Sequence, residues 1–235
     1  MRRGGALRRE VTPMVPVLYE DNHLLIVQKP QNMPAQADSS GDPDLLTVLK
    51  AYVKEKYNKP GDVYLGLVHR LDRPAGGVMA FARTSKAAAR LSAQLKTRQM
   101  SRTYLAVVAG AMKEDGALCD WLWKDERSNK SRVVSEGTAG AKLARLSYRA
   151  LGVCGGNTLV EVHLDTGRSH QIRVQFAHAG HPLVCDQKYN RSAERGDLAL
   201  WAWKLSLEHP TKKEPMTFTC PPPDRAPWNA FAKFL

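Results

Sequence analysis

His69-Arg70-Leu71-Asp72-Arg73-Pro74-Ala75-Gly76-Gly77 is the stretch on which the fold turns. Four ionisable side chains fall within its first five residues. Pro74 and the two glycines keep it out of regular structure, and the glycines let backbone approach a ligand closely. Short apolar runs flank it, Tyr64 to Val68 and Val78 to Ala82, and both read as buried strands. Taken alone, Asp72 fits a turn residue or helix cap as readily as a reactive carboxylate.

Further out, residues 15–19 and 24–28 read as two strands around a turn at Asp21-Asn22, and Lys29-Pro30 ends the second. Leu45, Val48, Leu49, Tyr52 and Val53 have helical spacing, so residues 45–57 predict a helix. Thr84 or Ser85 is placed to cap a second helix ending near Lys96. Residues 103–109, 144–151, 158–164, 199–207 and 216–219 are strand-like. Residues 124–135 read as a polar connection, and a short helix is expected near the C-terminus. Eight or more strands with few helices, not in βαβ alternation, predict an α+β fold around a mixed, mainly antiparallel sheet flanked by helices.

The composition suits a soluble globular chain: 235 residues, 43% hydrophobic and 25% charged. Lys and Arg number 35 against 23 Asp and Glu, a net charge of +12. That excess favours polyanionic partners, chiefly nucleic acid. No apolar run reaches the roughly 20 residues of a spanning helix, so no membrane role is expected. Cys119, Cys154, Cys185 and Cys220 are scattered, which argues against a zinc ribbon and for free thiols in a reducing, cytoplasmic setting. Arg2, Arg3, Arg8 and Arg9 form a basic arm over residues 1–14, expected to be a solvated tail. Residues 15–235 are read as one domain, monomeric and with no obligate protein partner.

A second candidate segment is Thr166-Gly167-Arg168-Ser169-His170-Gln171-Ile172-Arg173. It reads as a helix start with Ser169 as cap and a helix from His170 to His178, ended by Gly180 and Pro182. A basic helix N-terminus suits phosphate, although a capped amphipathic helix with a solvated basic face explains it equally. There is no Walker sequence, no GxGxxG and no GxSxG. His178, His181 and Cys185 match no standard zinc spacing. The five tryptophans read mostly as core or rim packing.

Together, the two segments resemble the signatures of the RluA family of RNA pseudouridine synthases. Gly167 to Val174 is followed by Gly180-His181-Pro182 and Asp186-Gln187-Lys188-Tyr189. Leu18 to Pro30 resembles the family's opening, Arg102-Thr103-Tyr104 through Gly110 its tyrosine strand, and Leu198 to Pro210 its closing strand. The resemblance covers about residues 15–210, in order. It departs from the family at Ala75-Gly76 (usually Thr-Ser), Ser169 (Thr), Cys185 (Gly) and Trp201 (frequently His). The small RNA-binding domain that precedes the catalytic domain in many relatives is not expected here.

The resemblance implies a pseudouridine synthase fold with a central catalytic cleft, and isomerisation of uridine in ribosomal or transfer RNA without metal or organic cofactor. It implies Asp72 as the attacking carboxylate, on base or sugar. Arg173 is its expected partner, because an adjacent guanidinium favours and orients a charged carboxylate. Tyr104 would stack on the uracil and help remove the carbon-bound proton. The base must be flipped out to react, with Arg70 filling the vacated space. Lys29, Arg168, His170 and Leu200 are the remaining candidates for substrate contact. Two rivals stay open: a synthase-like fold kept for RNA binding, and a small-molecule enzyme using the same Asp-Arg pair. A basic lining around Asp72, as opposed to scattered charge, disfavours the second.

Overall fold

The computed structural model describes residues 15–112 and 114–235; the basic arm, residues 1–14, lies outside them. The elements are β1 (Val17–Glu20), β2 (Leu24–Lys29), α1 (Leu45–Lys56), β3 (Gly66–Leu67), β4 (Gly76–Ala82), α2 (Ser85–Lys96), β5 (Ser101–Ala109), β6 (Gly116–Asp125), β7 (Lys130–Val134), β8 (Lys142–Cys154), β9 (Asn157–Leu164), α3 (Gln171–His178), β10 (Leu200–Glu208), β11 (Pro215–Thr219) and a 3-10 helix, Trp228–Phe234. All strands join one sheet in the order β1-β2-β4-β10-β5-β9-β8-β6-β7, with β3 on β4 and β11 on β10. Only β4 and β10 run parallel. The fold is α+β, as the patterning predicts.

The centre of the sheet follows from apolar strands covered on both faces. Every residue of β4 is buried, and β2 is buried at all but Gln28; such strands read as continuous apolar runs without alternation. Leu45, Leu49, Tyr52 and Val53 of α1 enter the same core. Asp44 accepts from the Thr47 N–H at 3.0 Å and Thr84 from the Ala87 N–H at 3.1 Å, so both longer helices start on a side-chain cap, each worth about 1 kcal/mol.

β4 and β10 approach so closely that only glycine fits. Gly77 has φ +114°, and a Cβ there would collide with the Ala202 backbone. A Cβ at Gly76 would run into the Trp201 ring. Two departures from the family pattern are therefore one packing event: the indole occupies the space that a side chain at position 76 would need.

Three expectations need correction. Residues 124–135 are not a loose connection, because β6 and β7 form an antiparallel hairpin there, pairing Trp121 with Val134 and Asp125 with Lys130. Its charged residues sit at the turn and on the open face, which hides the strand pattern. Residues 64–68 supply only the two-residue β3, and Tyr64 is 50% exposed. β2 lines one edge of β4 from Gly77 to Ala82, while β10 takes the other edge at Gly76–Gly77 and β3 at Phe81–Ala82; β3 stops there because the Ala80 N–H bonds to the His69 ring and not to a strand carbonyl. Finally, Ser169 does not cap α3. His170 takes that position in the left-handed region at φ +54°, and no side-chain cap bond forms.

Candidate active site

The loop between β3 and β4 carries Asp72 and is fastened from beneath. A turn closes it from the Ala75 N–H to the Asp72 carbonyl at 3.0 Å. The Lys29 ammonium, fully buried, donates to the carbonyls of Pro30 (2.8 Å), Arg73 (3.0 Å) and Ala75 (2.7 Å). Burial pulls its pKa down to about 7, against the opposing charge of Asp72. Lys29 was expected among the substrate contacts; with its three donors spent on backbone, it serves as the loop's anchor. His69 holds the start of the loop: its Nε2 accepts from the Ala80 N–H at 3.0 Å, so the ring is neutral with its proton on Nδ1. Burial, with Arg102 nearby, lowers the His69 pKa to about 3.

Arg173 comes from the first turn of α3, within the GRSHQIR segment. Its Nη1 donates to Asp72 Oδ2 at 3.2 Å. Its Nε and Nη2 grip both oxygens of Asp186 at 2.8 and 2.7 Å, a bidentate geometry that fixes the plane of the guanidinium. Asp186 is wholly buried and also accepts from the N–H groups of Lys188 and Tyr189. Burial opposes its ionisation, but the Arg173 bonds prevail and hold the carboxyl below its usual range. The Tyr189 ring lies 5.2 Å from the Arg173 guanidinium carbon. Its hydroxyl accepts from the Ser131 N–H at 2.8 Å and meets His170 Nδ1 at 2.7 Å. His170 Nε2 lies 3.9 Å from Asp72 Oδ2, and burial lowers its pKa against the pull of Asp72.

These groups open onto a cleft between the Asp72 loop, β5 and the start of α3. Asp72, Tyr104, Arg173, Arg70, Arg168, His170 and Leu200 all line it. Tyr104 is buried, which raises its phenol pKa. Arg70 is exposed. Arg168 bonds through Nε to the Leu143 carbonyl at 2.9 Å. Two recesses adjoin the cleft. One, beyond Arg168, includes Lys124 and Lys142; the other, behind Arg173, includes Lys130 and Lys188. Four arginines, Arg70, Arg102, Arg168 and Arg173, line the cleft with Asp72. Among the described residues no cluster of three or more His, Cys, Asp or Glu is arranged to hold a metal ion, and no helix is long and apolar enough to cross a membrane.

Residues 23–178 match the family model of RNA pseudouridylate synthase. The chain belongs to that family. It is 33% identical over 222 residues to ribosomal large subunit pseudouridine synthase D of Nitrosomonas europaea, covering 88% of this chain and 62% of that protein. The protein of the same name from Xylella fastidiosa is 34% identical, with 88% and 66% covered, and that from Pseudomonas aeruginosa 34%, with 90% and 69% covered. The chain thus spans about two thirds of the length of these curated relatives. Human RNA Pseudouridylate Synthase Domain Containing 4 shares the fold at a TM-score of 0.73 and 24% identity, with 88% of each chain covered.

Asp186 and Tyr189 stood in the motif reading without a task, and Arg102 was not singled out beyond its place in the tyrosine strand. Strand geometry held the signal for Arg102: side chains two apart share a face, so a strand presenting Tyr104 to the cleft presents Arg102 there too.

Proposed function

We propose that this pseudouridylate synthase family member isomerises uridine to pseudouridine in large-subunit ribosomal RNA, in the cytoplasm, with Asp72 as nucleophile. The observation that carries this reading is the Asp72 carboxylate, bonded to the pinned Arg173 fork at the floor of a cleft rimmed by Arg70, Arg102 and Arg168. The relatives' names supply the class of RNA. The gathered cations favour a polyanion over a small molecule.

The target nucleotide flips out of its helix into the cleft, and the exposed Arg70 fills the gap it leaves, stacking on bases and bonding phosphate. Arg173 holds the Asp72 carboxylate charged and aimed. Asp72 attacks, the N1–C1′ bond breaks, the base turns, C5 bonds to C1′, and the bond to Asp72 breaks to return its free carboxylate. Tyr104 keeps the uracil stacked and assists removal of the C5 proton, while a proton returns to N1. Leu200 supplies an apolar wall, and Arg168 and His170 orient the flanking sugar and phosphate. Atoms and electrons balance without an added redox partner or group donor.

The test is carbodiimide mapping of pseudouridines in ribosomal RNA treated with the purified wild type or Asp72→Asn. The wild type is expected to create new modified positions and the variant none. New positions with both proteins, or with neither, would defeat the assignment.

A further inference from the structure

Resting on that reading, we propose that Arg102 is the donor that meets a carbonyl oxygen of the uracil in the cleft and stabilises the negative charge the ring gains during the reaction.

Arg102 lies two residues before Tyr104 on β5 and lines the same cleft as Asp72 and Arg173. It forms no ion pair with a carboxylate among the described residues, whereas Arg173 pairs with Asp72 and Asp186, and Arg83 with Glu20. Its Nε is buried and has no hydrogen-bond partner among the described residues. Leaving a guanidinium donor unmade is costly, and neither terminal nitrogen of Arg102 bonds to protein among the described residues, so in the cleft they are left for a partner that arrives with the substrate. The same side chain is packed into position. A Cβ on Gly167 would sit 2.9 Å from Arg102 Nη1 and 3.2 Å from Nη2, so the glycine of the second motif makes the space in which the guanidinium lies.

The chemistry needs such a donor. When the N1–C1′ bond breaks, the electron pair stays with the base, and the anion spreads over N1, O2 and O4. If Asp72 instead adds to the ring first, the charge goes to C5 and O4. Both routes load a carbonyl oxygen, and so does loss of the C5 proton. Arg173 is less suited, because its charge and three of its five N–H donors are already engaged by two carboxylates. Arg102 neither gains nor loses a proton in this role. Its contribution is a fixed positive donor, already in place when the charge develops.

Large-subunit ribosomal RNA transcribed with C5-tritiated uridine reports the reaction directly, since isomerisation releases the C5 hydrogen to water. Arg102→Met should slow single-turnover release by about 10²–10³-fold, the usual loss for one oxyanion donor, while RNA affinity by filter binding stays within about threefold. Arg102→Lys keeps a charge and donors and should recover at least about tenfold of that loss. Release by Arg102→Met within about threefold of wild type overturns the proposal. So does a loss confined to affinity, which would make Arg102 a phosphate contact. If Arg102→Met fails to fold, Arg102→Gln, which also removes the charge, decides through the same rate and affinity measurements: a slowed rate at unchanged affinity supports the proposal, and an unchanged rate overturns it. No release by the wild type would sink the pseudouridine reading itself, a result distinct from an active wild type matched by its Arg102 variants.

Discussion

The loop at 69–77 and the segments that carry Arg173 and Asp186 are made firm in opposite ways. In the first, backbone is anchored and the functional side chain is left available. Lys29 and His69 tie down the main chain, whereas Asp72 has one 3.2 Å contact to Arg173 and a side chain that is 26% exposed. In the second, the side chain itself is locked: Asp186, fully buried, takes two bonds from Arg173 and two from backbone N–H groups. Arg173 thus lies between a carboxylate built to hold and a carboxylate left to react. The difference shows how two acids on one guanidinium divide their tasks: the one buried under four hydrogen bonds positions, and the one partly open to the cleft does chemistry.

The sharpest way to break this comparison is to neutralise each acid in turn. Asp72→Asn should lower turnover by at least about 10⁴-fold, on the scale seen when a nucleophile is removed. Its unfolding free energy should change by about 1 kcal/mol or less, because the amide oxygen still accepts from Arg173. Asp186→Asn should behave in the reverse sense. It breaks a buried pair and should cost about 3–5 kcal/mol in urea unfolding, with turnover falling because Arg173 loses its orientation. Equal stability losses for the two variants would erase the proposed division of labour.

The backbone anchors are tested by pH. His69 has a folded-state pKa of about 3 against 6.5 unfolded. Between those values the unfolded chain binds the extra proton, so this group lowers stability as pH falls from 6.5 towards 3, by about 1.4 kcal/mol per pH unit. Going from pH 6.5 to pH 5 should therefore cost the wild type about 2 kcal/mol more than His69→Gln, whose amide has no proton to gain. Urea titrations of both proteins at the two pH values supply the comparison, and parallel losses would show that His69 is not held neutral by its bond to Ala80.

Much of this arrangement was legible before any coordinates. The apolar runs of β2, β4 and β5 and the spacing of Leu45, Leu49, Tyr52 and Val53 announced their elements, because burial imposes a period on sequence. Asp72 and Arg173 were named from two motifs about a hundred residues apart and Tyr104 from a weaker segment between them, and the structure brings them to one cleft. What stayed hidden depends on long-range pairing. The β6–β7 hairpin carries its charges on an open face and at its turn, so it reads as loop. Lys29 reads as a cation free to meet RNA until three carbonyls from two separate segments are seen around it. Asp186 is one acid among 23 acidic residues until Arg173 points at it from thirteen residues away. Local chemistry marks which residues are reactive; only tertiary structure says what each one faces.

The smallest effect sharpens that last point. Thr84 and Ser169 are the same kind of cap by local pattern, a hydroxyl residue just ahead of a helix. Thr84 does cap: its Oγ1 accepts from the Ala87 N–H at 3.1 Å in an extended conformation. Ser169 does not, because His170 has taken the left-handed turn into α3 so that its ring meets Tyr189 and faces Asp72. The α3 terminus has given up a side-chain cap to aim a histidine into the cleft. Thr84→Ala should then lower stability by about 1 kcal/mol, while Ser169→Ala should change it by less than about 0.5 kcal/mol. Both are read from urea midpoints at constant m-value. A Ser169→Ala loss as large as that of Thr84→Ala would mean that the hydroxyl caps α3 in solution, and that His170 is not held where its contact with the Asp72 loop requires it.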